Sequence, residues 1–290
     1  MPSDLQGDGL RRDALSRAIR PNADGLPQVM GILNITPDSF HPESRVTGQQ
    51  AIERGIAMFE DGATWVDVGG ESTRPGADAV GLDEECARVI PVIQGLKAAH
   101  PKGLVSIDTR HAIVAQAALE AGADLVNDVS GLRDPAMMDV VLRSGAAVCI
   151  MHMQGTPKTM QHDVHYENVV DDVHGALFTT ARALVDRGHP EELICLDPGI
   201  GFGKEQHHNL ALLEHGADLS DGGRWSVLWG VSRKSVVGHL TGHVYDADRL
   251  QWTLGLAALA CLRSVGVLRV HDVAAHRDLL NALRPFTLRG

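Results

Sequence analysis

The chain has 290 residues, with 37 Asp and Glu against 26 Lys and Arg, a formal net charge of −11. That acidic balance excludes nucleic acid and anionic membrane as the main partners, because both reward clustered cations. A hydrophobic fraction of 44% excludes a disordered chain.

Taken in chain order, residues 1–27 mix acids and bases without an apolar core, which is not a secretory signal. They read as a loose N-terminal leader, partly helical at 11–20, ahead of a single domain over 28–290. Eight β-branched apolar runs follow, at 28–36, 65–71, 103–109, 124–131, 146–153, 192–201, 226–233 and 267–273. Between them lie helical patterns. One spans 82–99, where Pro91 should kink it. The clearest spans 166–185, with Val169, Val173, Leu177, Ala181 and Leu184 on one stripe. Glycines before a strand, as in Gly62-Ala63 and Gly145-Ala146, close the preceding helix. The longest apolar stretch, near Leu256–Leu262, is far shorter than the roughly 18 residues of a membrane span. Cys86, Cys149, Cys195 and Cys261 form no CxxC pair. Cys149 and Cys195 sit in apolar runs as small buried thiols, which fits a soluble protein of a reducing cytoplasm.

Strands apolar nearly throughout, each followed by a helix, predict a parallel sheet covered by helices. Eight such units predict an α/β fold, a single-domain (β/α)8 TIM barrel. The polar residues favour the barrel over a doubly wound sheet. Every run ends in them: Asn34, Glu71, Asp108, Asn127-Asp128, His152, Asp197, Ser232-Arg233-Lys234, and Arg269 with His271. In a barrel all of these share the rim that carries the active site, whereas a doubly wound sheet would gather them at one switch point.

As a chemical set, the rim acids and amides suit a planar heterocycle with several N–H donors and a carbonyl. Arg74, Arg233, Lys234, Arg269 and His271 suit phosphate or pyrophosphate. Together they point to a substrate with a polar ring and an anionic leaving group. No HExxH, CxxC or EF-hand pattern is present, and His162, His165 and His174 are expected at the surface. The run Asp197-Pro-Gly-Ile-Gly-Phe-Gly-Lys204 matches neither nucleotide-binding glycine pattern. Its glycines are expected to bring backbone close to a flat ligand, with Phe202 on the ligand's face.

These segments carry a family resemblance. Met30 to Phe40 (MGILNITPDSF), Asp67 to Gly76 (DVGGESTRPG), Ser106 to Thr109 (SIDT) and Asn127 to Gly131 (NDVSG) resemble the signatures of dihydropteroate synthases. So do Met151-His-Met153 with Pro157 to Gln161, Asp197 to Lys204, Ser232 to Ser235 (SRKS) and Arg269 to Asp272 (RVHD). Each string is weak alone; the ordered set, over about 28–285, is specific.

The resemblance implies a TIM barrel that joins 6-hydroxymethyl-7,8-dihydropterin pyrophosphate to p-aminobenzoate, giving 7,8-dihydropteroate and pyrophosphate. It implies that Asn127, Asp197 and Lys234 hold the pterin, with Met151 and Phe202 packed on it and Asp108 near the charge that develops there. Asn34 (through Mg2+), Arg269 and His271 would take the pyrophosphate. Thr73, Arg74, Pro75, Ser232 and Arg233 would shape the p-aminobenzoate side. Asp108, Lys234, Arg269 and His271 are the catalytic candidates, and a homodimer is implied.

The chemistry agrees: departing pyrophosphate leaves a cation on the methylene, which a carboxylate stabilises while Arg, His and Mg2+ stabilise the anion. Some roles stay open. Asp67 and Glu71 either pair with cations inside the barrel or belong to the site. Asp128 either touches ligand or orients Asn127 or nearby backbone. One departure from the family stands in the first loop, where Ser-Asp-Gly-Gly is usual after Phe40 and this chain has His41-Pro42-Glu43-Ser44. Pro42 at the Asp position stiffens the loop, with Glu43 one residue along. Two alternatives are a pterin-binding paralogue impaired by that loop and a methyltransferase using a reduced folate. The latter has no need of the SRKS and RVH anion groups.

Overall fold

All eight apolar runs become strands, each starting within two residues of its predicted position and each stopping one to four residues earlier than predicted. The computed structural model describes residues 2–35, 44–72, 79–156, 158–234, 236 and 249–287, with backbone alone for 2–8 and 44–47. Helix α1 (Pro2–Ile19) precedes the repeating units β1 (Gln28–Asn34), α2 (Ser44–Glu60), β2 (Trp65–Gly69), α3 (Leu82–Ala99), β3 (Leu104–Asp108), α4 (Ala112–Glu120) and β4 (Leu125–Asp128). Then come α5 (Pro135–Ser144), β5 (Ala147–Met151), α6 (Val169–Asp186), β6 (Ile194–Asp197), α7 (Gln206–Glu214), β7 (Ser226–Trp229), α8 (Leu250–Leu262), β8 (Val267–Val270) and α9 (Val273–Thr287). Every strand pairs in parallel with its sequence neighbours, and β8 returns to β1 to close the barrel.

The strands read as apolar runs because both of their faces are covered. Outward residues such as Val29, Leu33, Val66, Val68, Val105 and Ile107 pack against the helices. Inward residues Met30, Trp65, Leu125, Cys149, Cys195, Leu228 and Val267 fill the barrel's lower half. Cys149 and Cys195 are register partners there and are free thiols. Local chemistry sets the helix bounds. Asn168 Oδ1 accepts from the backbone N–H groups of Val170 and Asp171 at 3.1 and 3.4 Å, so α6 starts three residues later than periodicity predicts. Gly145 closes α5 at φ 63°, the left-handed cap expected of the Gly-Ala pairs. Helix α3 has its predicted bounds and runs unbroken across the exposed Pro91.

The N-terminal segment is not a loose leader. Leu15, Ala18 and Ile19 are buried in one cluster with Trp65, Leu125 and Leu228, sealing the barrel floor. Trp65 Nε1 donates to Ala18 O at 2.8 Å, Ser226 Oγ donates to Ile19 O, and Arg12 pairs with Glu192. Among the described residues of the helix, Leu15, Ala18 and Ile19 do the sealing, and their partners lie far away in sequence, so periodicity alone undervalues it. Truncating Leu15, 1% exposed, to Ala should lower stability by about 2–4 kcal/mol in urea unfolding. A loss under about 0.5 kcal/mol would mean the floor does not depend on this helix.

Candidate active site

The closure of the barrel brings the strand ends together. Asn34, Gly69, Asp108 and Asn127 are successive register partners across β1, β2, β3 and β4, so three polar side chains stand in one row at the mouth. Met151 and Asp197 are register partners on β5 and β6.

Arg269 enters from β8 and ties two aspartates together. Its Nε donates to Asp67 Oδ2 and its Nη2 to Asp108 Oδ2, each at 2.6 Å. Asp67 Oδ2 also accepts from Asn127 Nδ2 at 3.1 Å, linking the cation to the amide. Asp67 is fully buried and Asp108 is 5% exposed. Asp67 Oδ1 and Asp108 Oδ1 are buried with no hydrogen-bond partner among the described residues. Buried acceptors of this kind are costly to leave unmet, and a ligand with N–H groups or positive charge relieves that cost. Burial pushes the Asp108 carboxyl up to about 7, against the pull of Arg269 and with Asp67 and Glu85 adding to the rise. The two carboxylates share one guanidinium.

A second group forms between β6 and the segment after β7. Asp197 Oδ1 accepts from the Gly199 N–H at 2.7 Å. Burial raises the Asp197 pKa, with Lys234 and that N–H opposing. Lys234 Nζ donates to Ile200 O at 2.6 Å and sits 4.3 Å from the Phe202 ring centroid. Burial pulls Lys234 down to about 8, with Asp197 resisting. Beside them Val129, Met151, Met153 and Met160 form an apolar wall on which Phe202 packs.

The third group joins Ser232 to His271. Ser232 Oγ accepts from the His271 backbone N–H at 3.2 Å and lies 3.0 Å from His271 Nδ1. Donation of the hydroxyl proton to Nδ1 completes this pair and leaves the imidazole proton on Nε2, where an anion can take it.

These contacts give partners to residues whose roles the sequence leaves open. Asp67 pairs inside the barrel with Arg269. Glu71 receives Arg110 through both oxygens at 2.8 and 3.0 Å, and its Oε1 also accepts from Val80 N. Asp128 orients backbone, accepting from Ser130 N and Leu132 N. Arg233, at φ 57°, pairs its exposed guanidinium with Asp272. A Cβ on Gly199 (φ 66°) would stand 1.9 Å from His152 O, so this glycine serves an approach between two loops. His162 and His165 are exposed and His174 is half-buried. Glu205, His207 and His208 have ligand-type atoms within 4.8 Å, although Glu205 and His208 already cap α7 reciprocally. Thr73, Arg74, Pro75, Pro42 and Glu43 lie outside the described residues.

Sequence reasoning missed two residues. Arg110 holds Glu71, and Lys204 lies buried under the glycine loop. Only the position of Lys204 at the end of the glycine motif signalled it.

Comparison with known proteins agrees with this arrangement. The family described as pterin binding enzymes matches residues 30–271. Dihydropteroate synthase from Haemophilus influenzae is 40% identical over 256 residues, covering 88% of this chain and 92% of that protein. Among solved structures, Xanthomonas albilineans dihydropteroate synthase with 4-aminobenzoic acid superposes with a TM-score of 0.84 at 40% identity, over 91% of this chain and 94% of that one. Burkholderia cenocepacia dihydropteroate synthase complexed with 7,8-dihydropteroate gives 0.81 at 42% identity, over 91% and 94%. With barrel, motif order and rim residues all in agreement, the chain belongs to the pterin-binding enzymes and, within them, to the dihydropteroate synthase family.

Proposed function

We propose that this chain condenses 6-hydroxymethyl-7,8-dihydropterin pyrophosphate with p-aminobenzoate, forming 7,8-dihydropteroate and pyrophosphate. The observation that carries the reading is Arg269 bridging Asp67 and Asp108 on the same rim as the Ser232–His271 pair and the Asp197–Lys234 pair. Groups that stabilise a cation and groups that stabilise an anion stand side by side, as the reaction requires.

The C–O bond between the pterin methylene and pyrophosphate breaks, and pyrophosphate keeps the electron pair. The p-aminobenzoate nitrogen then forms the C–N bond and gives up a proton. Asn127 and Asp197 meet the ring's amide and amine hydrogens, while Lys234 donates to its carbonyl. Met151 and Phe202 cover its face, and Asp108 stands against the methylene charge. Arg269 and His271 receive the developing anion, each such donor contributing a few kcal/mol at the transition state. On the p-aminobenzoate side the reading assigns Thr73, Arg74, Pro75, Ser232 and Arg233.

Magnesium fits the donor chemistry at the mouth. A Cβ on Gly69 would lie 3.4 Å from Asn34 Oδ1 and 3.6 Å from Asp108 Oδ2, so the missing side chain leaves a cradle beside two hard oxygens. Asn34 would hold the ion, which when bound neutralises charge on pyrophosphate oxygens.

The relatives favour the synthase over the paralogue and methyltransferase readings. Pyrophosphate release by purified protein, required to depend on both organic substrates, is the test. Tight pterin binding without release would leave a binding protein in its place. The assignment of Asp108 also makes a pH prediction. A protonated Asp108 cannot offset the methylene cation, so kcat/KM should rise with pH through about 7, then fall above about 8 as Lys234 loses its proton. Asp108→Asn should remove the acid limb, and an unchanged limb would reassign it.

Two further parts of the reading rest on the surface and the thiols. Exposed Trp252, Leu262 and Phe286 on α8 and α9 support pairing with a second copy, and a monomer in sedimentation would remove that part. No helix among the described residues is long and apolar enough to cross a membrane. The free thiols support a cytoplasmic protein, to be checked by cell fractionation.

A further inference from the structure

Lys204 carries a charge that the reaction above does not use. It is 4% exposed, yet among the described residues the hydrogen-bond partners of its ammonium are all neutral groups. Nζ lies 3.0 Å from Gly199 O, 3.0 Å from Phe202 O, 3.2 Å from His152 O and 3.1 Å from His152 Nδ1. Burial, with Lys204 and Arg133 nearby, pushes His152 down to about 3, so the ring is neutral and Nδ1 accepts. Three ammonium protons therefore serve four acceptors drawn from two loops. A compact ammonium converges on such a set, whereas a planar guanidinium does not.

These acceptors lie on the backbone that orients the pterin-facing side chains. The Gly199 N–H orients Asp197, and Gly199 O also accepts from Phe202 N at 3.0 Å. His152 N donates to Asp197 O at 3.0 Å, tying the loop after β5 to the end of β6. Phe202 in turn meets Lys234 and the methionine wall. Gly201 N and Gly203 O are held from outside by Asn209 Oδ1 and Tyr166 OH, so the outer edge of the turn has other supports and its inner edge has Lys204. Burial lowers Lys204 to about 7, with Asp197 resisting and Lys234 adding to the fall, so burying this ammonium has a cost that Asp197 opposes in part.

We propose that Lys204 is a positioning residue for pterin binding: its ammonium draws the 199–203 turn onto the loop after β5 and so holds the Phe202 ring and the Asp197 carboxylate where the pterin meets them. This rests on the proposed pterin contacts of Asp197 and Phe202.

The test is calorimetric titration of 6-hydroxymethylpterin into the full-length wild type and into Lys204→Met, Phe202→Ala and Asp197→Asn. The KM for p-aminobenzoate is measured in parallel at saturating pterin pyrophosphate. Lys204→Met should weaken the pterin about tenfold and leave the KM for p-aminobenzoate within twofold, a split that general loosening of the fold would not produce. Lys204→Gln restores two N–H donors without the charge and should recover to within about threefold of wild type. If Lys204→Met does not accumulate as folded protein, Lys204→Arg is titrated in its place, with the same tenfold loss expected and an affinity within twofold overturning the positioning role, because a planar guanidinium does not converge on the four acceptors. A Lys204→Met affinity within twofold of wild type, alongside weakened Phe202→Ala and Asp197→Asn, overturns the positioning role alone. Normal pterin binding by Phe202→Ala and Asp197→Asn overturns the pterin contacts themselves, and the positioning role with them.

Discussion

Asp197→Ala and Lys234→Ala should each weaken pterin binding by about 100-fold or more while the barrel stays folded. Each residue is the other's main charge partner, in a site where burial pushes Asp197 up and Lys234 down to about 8. Charge-assisted hydrogen bonds to a ligand in such surroundings are worth roughly 1.5–3 kcal/mol each. Removing one partner also disturbs the other: without Asp197, Lys234 loses the carboxylate that helps keep it protonated, and its pKa falls further below about 8. The loss in Asp197→Ala should therefore deepen as pH rises from 6 to 8. The stability cost is smaller, because among the described residues the Asp197 side chain makes one hydrogen bond, accepted from the Gly199 N–H. Titration calorimetry with circular dichroism separates the two effects. A folded variant with affinity within threefold of wild type would show that the pterin lies elsewhere.

Arg269→Met should be the most damaging single change to both activity and stability. The guanidinium is the shared partner of Asp67 and Asp108, at 2.6 Å from each, and both carboxylates are buried. Removing one partner of a buried ion pair costs about 3–5 kcal/mol, and here two like charges remain together. The sign of the pH dependence follows. Burial already raises Asp108 to about 7 with Arg269 pulling the other way, so without Arg269 its folded-state pKa rises further above the unfolded value and the folded state binds more protons. The destabilisation should be larger at pH 8 and shrink as pH falls through the raised Asp108 pKa towards 5. Urea unfolding at the two pH values checks this. A loss of the same size at both would mean the aspartates are not the source. Asp67→Asn combined with Arg269→Met should regain stability without regaining turnover, because the anion-binding cation is still missing.

The strands were legible because a parallel barrel covers both faces of every strand, turning each into an apolar run. Their starts at Gln28, Trp65, Ser226 and Val267 coincide with the predicted ones. The ends were less legible. The predicted runs carried through Glu71, Gly201 and Arg233, whereas pairing stops at Gly69, Asp197 and Trp229. Register partners run out there, and the chain turns into the rim loops while its composition still reads as strand.

The sequence by itself determined the number and order of the βα units, the rim on which Asn34, Asp108, Asn127, Asp197, Lys234 and Arg269 meet, and the family to which their order points. Those features depend on periodicity and local composition. Only the tertiary structure decided which charges neutralise which. Arg269 finds Asp67 and Asp108 at sequence separations of 202 and 161 residues, Glu71 takes Arg110, and Arg233 turns to Asp272. It also placed Leu15 and Ile19 under the barrel and Lys204 beneath its loop. A charged side chain reads as solvent-facing in sequence because burial without partners is costly. Partners supplied by distant strands remove that cost, and only the closed barrel brings them together.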